Sequence, residues 1–113
     1  MSIKRNEQKV GIIRIDRPTV SDFGACAKMM AQSTPWLELA YSENECLTKL
    51  RAPSSVVKVA KRQVEVLGVV VYRRGGFSSA ALISLVCVRP DVRNRGLGRA
   101  LIGAVEENIF KDE

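Results

Sequence analysis

The chain has 113 residues, 46% of them hydrophobic, and 18 Lys and Arg against 12 Asp and Glu give a net charge of +6. That length supports one hydrophobic core and excludes two full-sized domains. Its longest apolar runs, Val66–Tyr72 and Ala80–Val88, fall far below the roughly 20 residues of a membrane-spanning helix.

Histidine is absent, which removes Ser-His-Asp and Cys-His nucleophiles. Cys26, Cys46 and Cys87 form no C-x-x-C pair and leave an odd thiol in any disulfide scheme, so reduced cysteines and no metal site are expected. The start, Met1 to Val10, is polar and lacks the apolar stretch of a secretory signal, and a cytoplasmic location is expected. The positive charge suits any polyanion, from nucleic acid to the phosphates of a nucleotide-like ligand.

In chain order, Val10–Arg17 alternates in period 2 and predicts a strand that ends at Pro18. Thr19, Ser21 or Asp22 then caps a helix whose apolar face is Phe23, Cys26, Ala27, Met30 and Ala31, finishing near Ser33. Pro35 interrupts it. Trp36, Leu37, Leu39 and Tyr41 read as core packing around an interhelical loop. Ser42-Glu43-Asn44-Glu45 fits a capping box that opens a second helix closed by Pro53. Val56–Ala60 and Glu65–Arg73 predict an antiparallel hairpin with a basic turn, and Arg73-Arg74-Gly75-Gly76 a second turn. Ser79–Val88 is apolar at nearly every position, the pattern of a strand buried on both faces in mid-sheet. From Leu97 on, Leu97, Ala100, Leu101, Ala104, Val105, Asn108 and Ile109 form the apolar stripe of a last helix.

The stretch from Leu85 to Leu101 carries the chemistry. It predicts a strand feeding a basic, glycine-containing loop that opens a helix, an arrangement that cradles anions. The first helical turn leaves backbone N–H groups without partners, and the helix dipole adds positive charge there. Gly96 and Gly98 allow a tight turn and close approach of a phosphate to the backbone, while Arg93, Arg95 and Arg99 attract it from a distance. The sequence matches neither G-x-x-x-x-G-K-S/T nor the dinucleotide G-x-G-x-x-G. Cys87, within an apolar strand, reads as a small core residue rather than a nucleophile. Glu38, Glu43 and Glu45 read as solvated or capping groups.

Val88, Pro90, Arg93, Gly96 and Gly98 reproduce V-x-P-x-x-R-x-x-G-x-G. This resembles the acetyl-CoA-binding motif of the GNAT superfamily of N-acetyltransferases, and the chain is similar to small bacterial members such as ribosomal-protein alanine acetyltransferases. The resemblance implies an α+β fold, a mainly antiparallel sheet flanked by helices in the order β-α-α-β-β-β-α. It implies acetyl-CoA as co-substrate, with Val86, Cys87 and Val88 offering main-chain groups to the pantetheine arm. Arg93, Asn94, Arg95, Gly96, Leu97 and Gly98 would then hold the pyrophosphate. The implied reaction is direct attack of a primary amine on the thioester.

The sequence also departs from the family. Its fourth strand offers no acid, so no catalytic residue is assigned. After Leu97–Phe110 the family continues with a fifth strand, another helix and a final hairpin, whereas this sequence ends at Glu113. Residues 1–113 are therefore expected to form one C-terminally incomplete acetyltransferase domain. Its fourth strand would be an open apolar edge, expected to pair with a second copy in a homodimer. Two other readings compete. One is a nucleic-acid-binding module using Arg62, Arg73, Arg74, Arg89, Arg93, Arg95 and Arg99; against it, aromatics are only 5% of the chain and are not interleaved with those arginines. The other is a catalytically inactive interaction subunit. The amine acceptor is left open.

Overall fold

A computed structural model describes residues 12–74 and 81–111. Its elements follow the expected order: β1 Ile13–Asp16, α1 Val20–Ala31, α2 Glu43–Leu50, β2 Val56–Arg62, β3 Glu65–Arg74, β4 Ala81–Val88, a 3-10 turn Pro90–Val92 and α3 Leu97–Lys111. The strands form one antiparallel sheet in sequence order, β1-β2-β3-β4.

Both N-terminal helices start at capping boxes, which explains where the chain leaves extended structure. Of the three candidates at the first helix, Thr19 is the cap. Its hydroxyl accepts from the Asp22 amide at 3.3 Å and its amide donates to Asp22 Oδ2 at 2.8 Å. Ser42 and Glu45 repeat the exchange at 2.9 and 3.1 Å. Each box satisfies donors that the first turn leaves orphaned. Asp22 is buried and also accepts from Lys61 Nζ at 3.0 Å, which ties the start of α1 to β2.

The sheet has a core on each face. α1 and α2 place Cys26, Met30, Cys46 and Leu50 against Val57, Val59, Val69 and Val71. On the other face α3 places Leu97, Leu101 and Val105 against Ala60, Leu67, Val70 and Tyr72. Period-2 alternation from Gly68 to Tyr72 supplies both sets, and the break in register opposite Ala60 and Lys61 turns Leu67 to the α3 face as well. α3 packs closely over Gly68, where a Cβ would lie 3.1 Å from Leu101 Cδ1 and 3.2 Å from the Cys87 carbonyl oxygen.

Several expectations need correction. β4 is not buried on both faces in mid-sheet. It lies at the sheet edge, with Leu82, Ile83 and Ser84 exposed and, among its described side chains, only Cys87 buried. An apolar run does not distinguish a covered strand from an edge whose far half is open. Of the interhelical residues, Trp36 is buried but Leu37 and Leu39 are 58% and 61% exposed. The α3 stripe narrows to Leu97, Leu101 and Val105, with Ala100 exposed. The side chains of Asn108 and Ile109 lie outside the described residues, as does Val10 of the first predicted strand. Arg73 and Arg74 continue β3 instead of turning, and Gly75 and Gly76 lie outside the described residues.

Candidate functional site

The corner after β4 is held by charge. The Arg89 amide donates to the Leu67 carbonyl at 2.8 Å. Its guanidinium donates to Asp91 through Nε at 2.6 Å and Nη2 at 2.8 Å, and to Glu65 through Nη1 at 2.7 Å. Glu65 also accepts from Arg62 at 2.9 Å. Asp91 and Glu65 raise the Arg89 pKa further above its ordinary value, and Arg89 lowers both carboxyls. Arg93 then folds back, its Nε donating to the Val88 carbonyl at 3.0 Å. The loop is thereby fastened to the strand it leaves.

Beyond Arg93 the backbone turns left-handed twice, at Asn94 (φ 64°) and Gly96 (φ 81°). Asn tolerates this region and Gly enters it without strain. The Gly96 carbonyl accepts the first helical bond, from the Ala100 amide at 3.0 Å. The amides of Leu97, Gly98 and Arg99 therefore have no partner within α3 and sit at the positive end of its dipole, with no acidic residue in the first turn. They border a cleft of about 640 Å³ whose lining includes Val86, Cys87 and Val88 on one side and Arg93, Asn94, Gly96, Leu97 and Gly98 on the other. A Cβ on Gly98 would stand in the gap between helix and strand, 3.9 Å from methyls of Val86 and Val88, while one on Gly96 would meet nothing within 4 Å. The residues present fit a phosphate group: unpaired amides, guanidinium groups and room at both glycines.

Eight of the nine residues selected from the sequence line this one cleft; Arg95 does not. The lining adds Thr34, Val92, Arg99 and Ile102. Ile102 lies one helical turn beyond Gly98, so its place was implicit in the period of α3. Thr34 comes from the loop after α1, and no local signal in the sequence points to it.

The main chain of β4 divides by alternation. Arg89 donates to Leu67 on β3 while the Val88 carbonyl faces the other way, toward Arg93, and Val69 is registered with Cys87. The amide and carbonyl of Cys87 thus point to β3, and those of Val86 and Val88 point to the open edge. Side chains divide the same way. Val86 and Val88 lie on the α3 face, whereas Cys87 is buried on the α1–α2 face. Burial pushes the Cys87 thiol above its ordinary pKa and pushes that of Cys26 up to about 12, so both are neutral thiols.

A second, smaller cleft of about 400 Å³ shares no lining residue with the first but takes its neighbours in the chain. It is lined by Pro35 and Trp36, the residues after Thr34, and by Ser84 and Leu85, the residues before Val86, together with Lys49 and Arg73. Another cleft of about 640 Å³, among Arg17, Phe23, Arg51, Pro53, Lys58 and Tyr72, shares no residue with the glycine loop, and the start of α1 beside it is closed by the Thr19–Asp22 capping box. Among the described residues, no three His, Cys, Asp or Glu side chains gather as metal ligands, and no helix is long and apolar enough to cross a membrane.

The sequence profile described as the Acetyltransferase (GNAT) family matches residues 22–113. The chain belongs to the GNAT acetyltransferase family. Solved structures share the fold. A ribosomal-protein alanine N-acetyltransferase from Escherichia coli superposes with a TM-score of 0.71 at 16% identity over 89% of this chain. A GNAT family acetyltransferase from Brucella melitensis in complex with acetyl-CoA gives 0.69 at 20% identity, covering 89% of this chain and 70% of its own. An aminoglycoside 6'-N-acetyltransferase complexed with coenzyme A gives 0.70 at 18% identity, covering 88% and 56%. The chain spans 61% of the length of the Escherichia coli structure. No curated protein sequence matches it.

Proposed function

We propose that this chain is the acetyl-CoA-binding half of an N-acetyltransferase domain, with the cofactor lying along β4 and its pyrophosphate at the start of α3. The observation that carries this reading is the trio of unpartnered amides at Leu97, Gly98 and Arg99 facing Val86 and Val88 across a cleft with room at both glycines. Arg93, Asn94 and Gly96 shape the loop, Arg95 and Arg99 add attraction, and the outward main-chain groups of Val86 and Val88 receive the amide-bearing arm. The Cys87 main chain is committed to β3, so its part in the cleft is to space its neighbours. Structural relatives solved with acetyl-CoA or coenzyme A support the reading.

Bound acetyl-CoA supplies an activated acetyl group as a thioester. The nitrogen of a neutral primary amine forms a bond to the acetyl carbon, the C–S bond breaks, and the sulfur leaves with its electron pair. The amine's surplus proton passes to water, and a proton reaches the sulfur. The chain's own work in this scheme is to hold and orient, and to offer the Val86 amide to the carbonyl oxygen. Among the described residues, neither cleft on β4 is lined by a carboxylate or a tyrosine. Isothermal titration with acetyl-CoA tests the reading, beside an Arg93→Ala plus Gly96→Glu variant whose fold is checked by circular dichroism. Saturable binding that the folded variant loses supports it; no binding by the native chain contradicts it.

The open edge of β4, with Leu82 and Ile83 56% and 40% exposed, favours pairing with a second copy of the chain. Light scattering on a sizing column should then report a dimer at micromolar concentration, and a stable monomer there sinks the idea. The nucleic-acid reading loses support at two of its seven arginines, since Arg62 and Arg89 are paired with Glu65 and Asp91.

A further inference from the structure

Building on the proposed acetyl-CoA site, we infer that the amine acceptor enters the smaller cleft beside it and carries an anionic group close to its amine. Consecutive residues divide between the two clefts on β4 and on the loop after α1: Val86 and Thr34 line the first, and Leu85 and Pro35 the second. With the pyrophosphate at Gly96 to Arg99, the acyl end runs back along β4 from Val88 toward Ser84. With the thioester carbonyl at the Val86 amide, the acetyl group points along β4 to Leu85 and Ser84, which line the second cleft.

The charge of that cleft decides what it accepts. Lys49 and Arg73 line it, with Trp36, Ser54, Ser55 and Ser84 as further walls, and no Asp or Glu is among its lining residues. Lys49 lies over the Tyr41 ring at 5.2 Å. Glu45, one turn before Lys49, is engaged by the Ser42 amide. A polyamine or a bare alkylammonium would bring positive charge to these two cations. An acceptor that also bears a carboxylate or phosphate has that charge answered by Arg73 and Lys49. The same two cations disfavour the ammonium form of the bound amine, and so promote the neutral form that attacks, in a cleft that offers no carboxylate base. A volume of about 400 Å³ lies in the range of small-ligand sites.

Trp36 is the chain's one tryptophan and lines this cleft, so its fluorescence reports occupancy. The native chain is titrated with Ala-Glu, Ala-Gln-amide, phosphoethanolamine and spermidine, each with and without saturating acetyl-CoA. Saturation by Ala-Glu or phosphoethanolamine at a concentration about tenfold or more below that for Ala-Gln-amide is expected, with spermidine weakest. Whichever of the first two binds tighter identifies carboxylate or phosphate as the anchor. Lys49→Ala and Arg73→Ala should each shrink the preference while acetyl-CoA binding by calorimetry is kept. Equal or tighter binding of the amide or spermidine, or no response to any probe, overturns the inference. If acetyl-CoA still binds in that case, the cofactor reading survives; if the native chain does not bind acetyl-CoA, that reading fails first.

Discussion

Arg93 Nε stands 3.0 Å from the Val88 carbonyl oxygen, so the loop that opens α3 is tied to the last residue of the strand it leaves. This bond uses one donor and leaves both terminal nitrogens of the guanidinium for a ligand. Arg93→Ala should therefore lower acetyl-CoA affinity by about tenfold or more. It should also weaken the dependence of binding on salt, with only a small fall in Tm because the bond is exposed. Calorimetry at two salt concentrations reads both effects.

Gly68 and Leu101 make a second testable pair. A methyl at Gly68 would crowd Leu101 Cδ1 at 3.1 Å and the Cys87 carbonyl at 3.2 Å, and the backbone contact cannot swing aside. Gly68→Ala should cost about 1–3 kcal/mol in urea unfolding, and Leu101→Ala, which empties a wholly buried site, about 2–5 kcal/mol. Because the second change makes room for the first, the double variant should lose less than the sum. Strict additivity would mean that α3 does not rest on Gly68.

Much of this fold was legible before any coordinate, and the reasons differ by element. The second capping box announces itself as Ser42 followed three residues later by Glu45, whereas Thr19, Ser21 and Asp22 leave the first cap open. The hairpin follows from valine-rich stretches around Lys61 to Val64, although β2 runs on through Lys61 and Arg62. The loop at Arg93 to Gly98 was legible because left-handed backbone and close approach select Asn and Gly. What escaped was long-range. The apolar run of β4 says nothing about which strand lies beside it, and Leu37 and Leu39 carry no local mark that separates them from the buried Trp36. Thr34 joins the cleft only because the loop after α1 passes over β4.

The Asp22–Lys61 pair gives a pH signature. Burial pushes the Asp22 carboxyl up, but the Thr19 amide and the Lys61 ammonium more than reverse this and hold it below its ordinary 3.8. A depressed carboxyl adds stability above pH 3.8, and that stability disappears as pH falls through the lower folded value. Tm should drop more steeply below pH 4 in the native chain than in Asp22→Asn. Lys61→Met, which leaves Asp22 buried without its cation, should cost about 1–3 kcal/mol at neutral pH, less than for a wholly buried pair because Lys61 reaches water.

Gly96 isolates backbone strain from crowding, since its φ is 81° yet a Cβ would meet nothing within 4 Å. Gly96→Ala should lose about 1 kcal/mol of stability from the left-handed backbone alone. Asn94→Gly, at a φ of 64°, should be neutral or slightly stabilising by the same measurement.

The most direct test of the cofactor site is a nuclear magnetic resonance titration of the nitrogen-15-labelled chain with coenzyme A. The account predicts that the largest amide shifts fall on Leu97, Gly98 and Arg99, followed by Val86 and Val88, with Cys87 moving less because its amide is bonded to β3. No saturable shifts, or shifts gathered around Arg17, Arg51 and Lys58 instead, would contradict it.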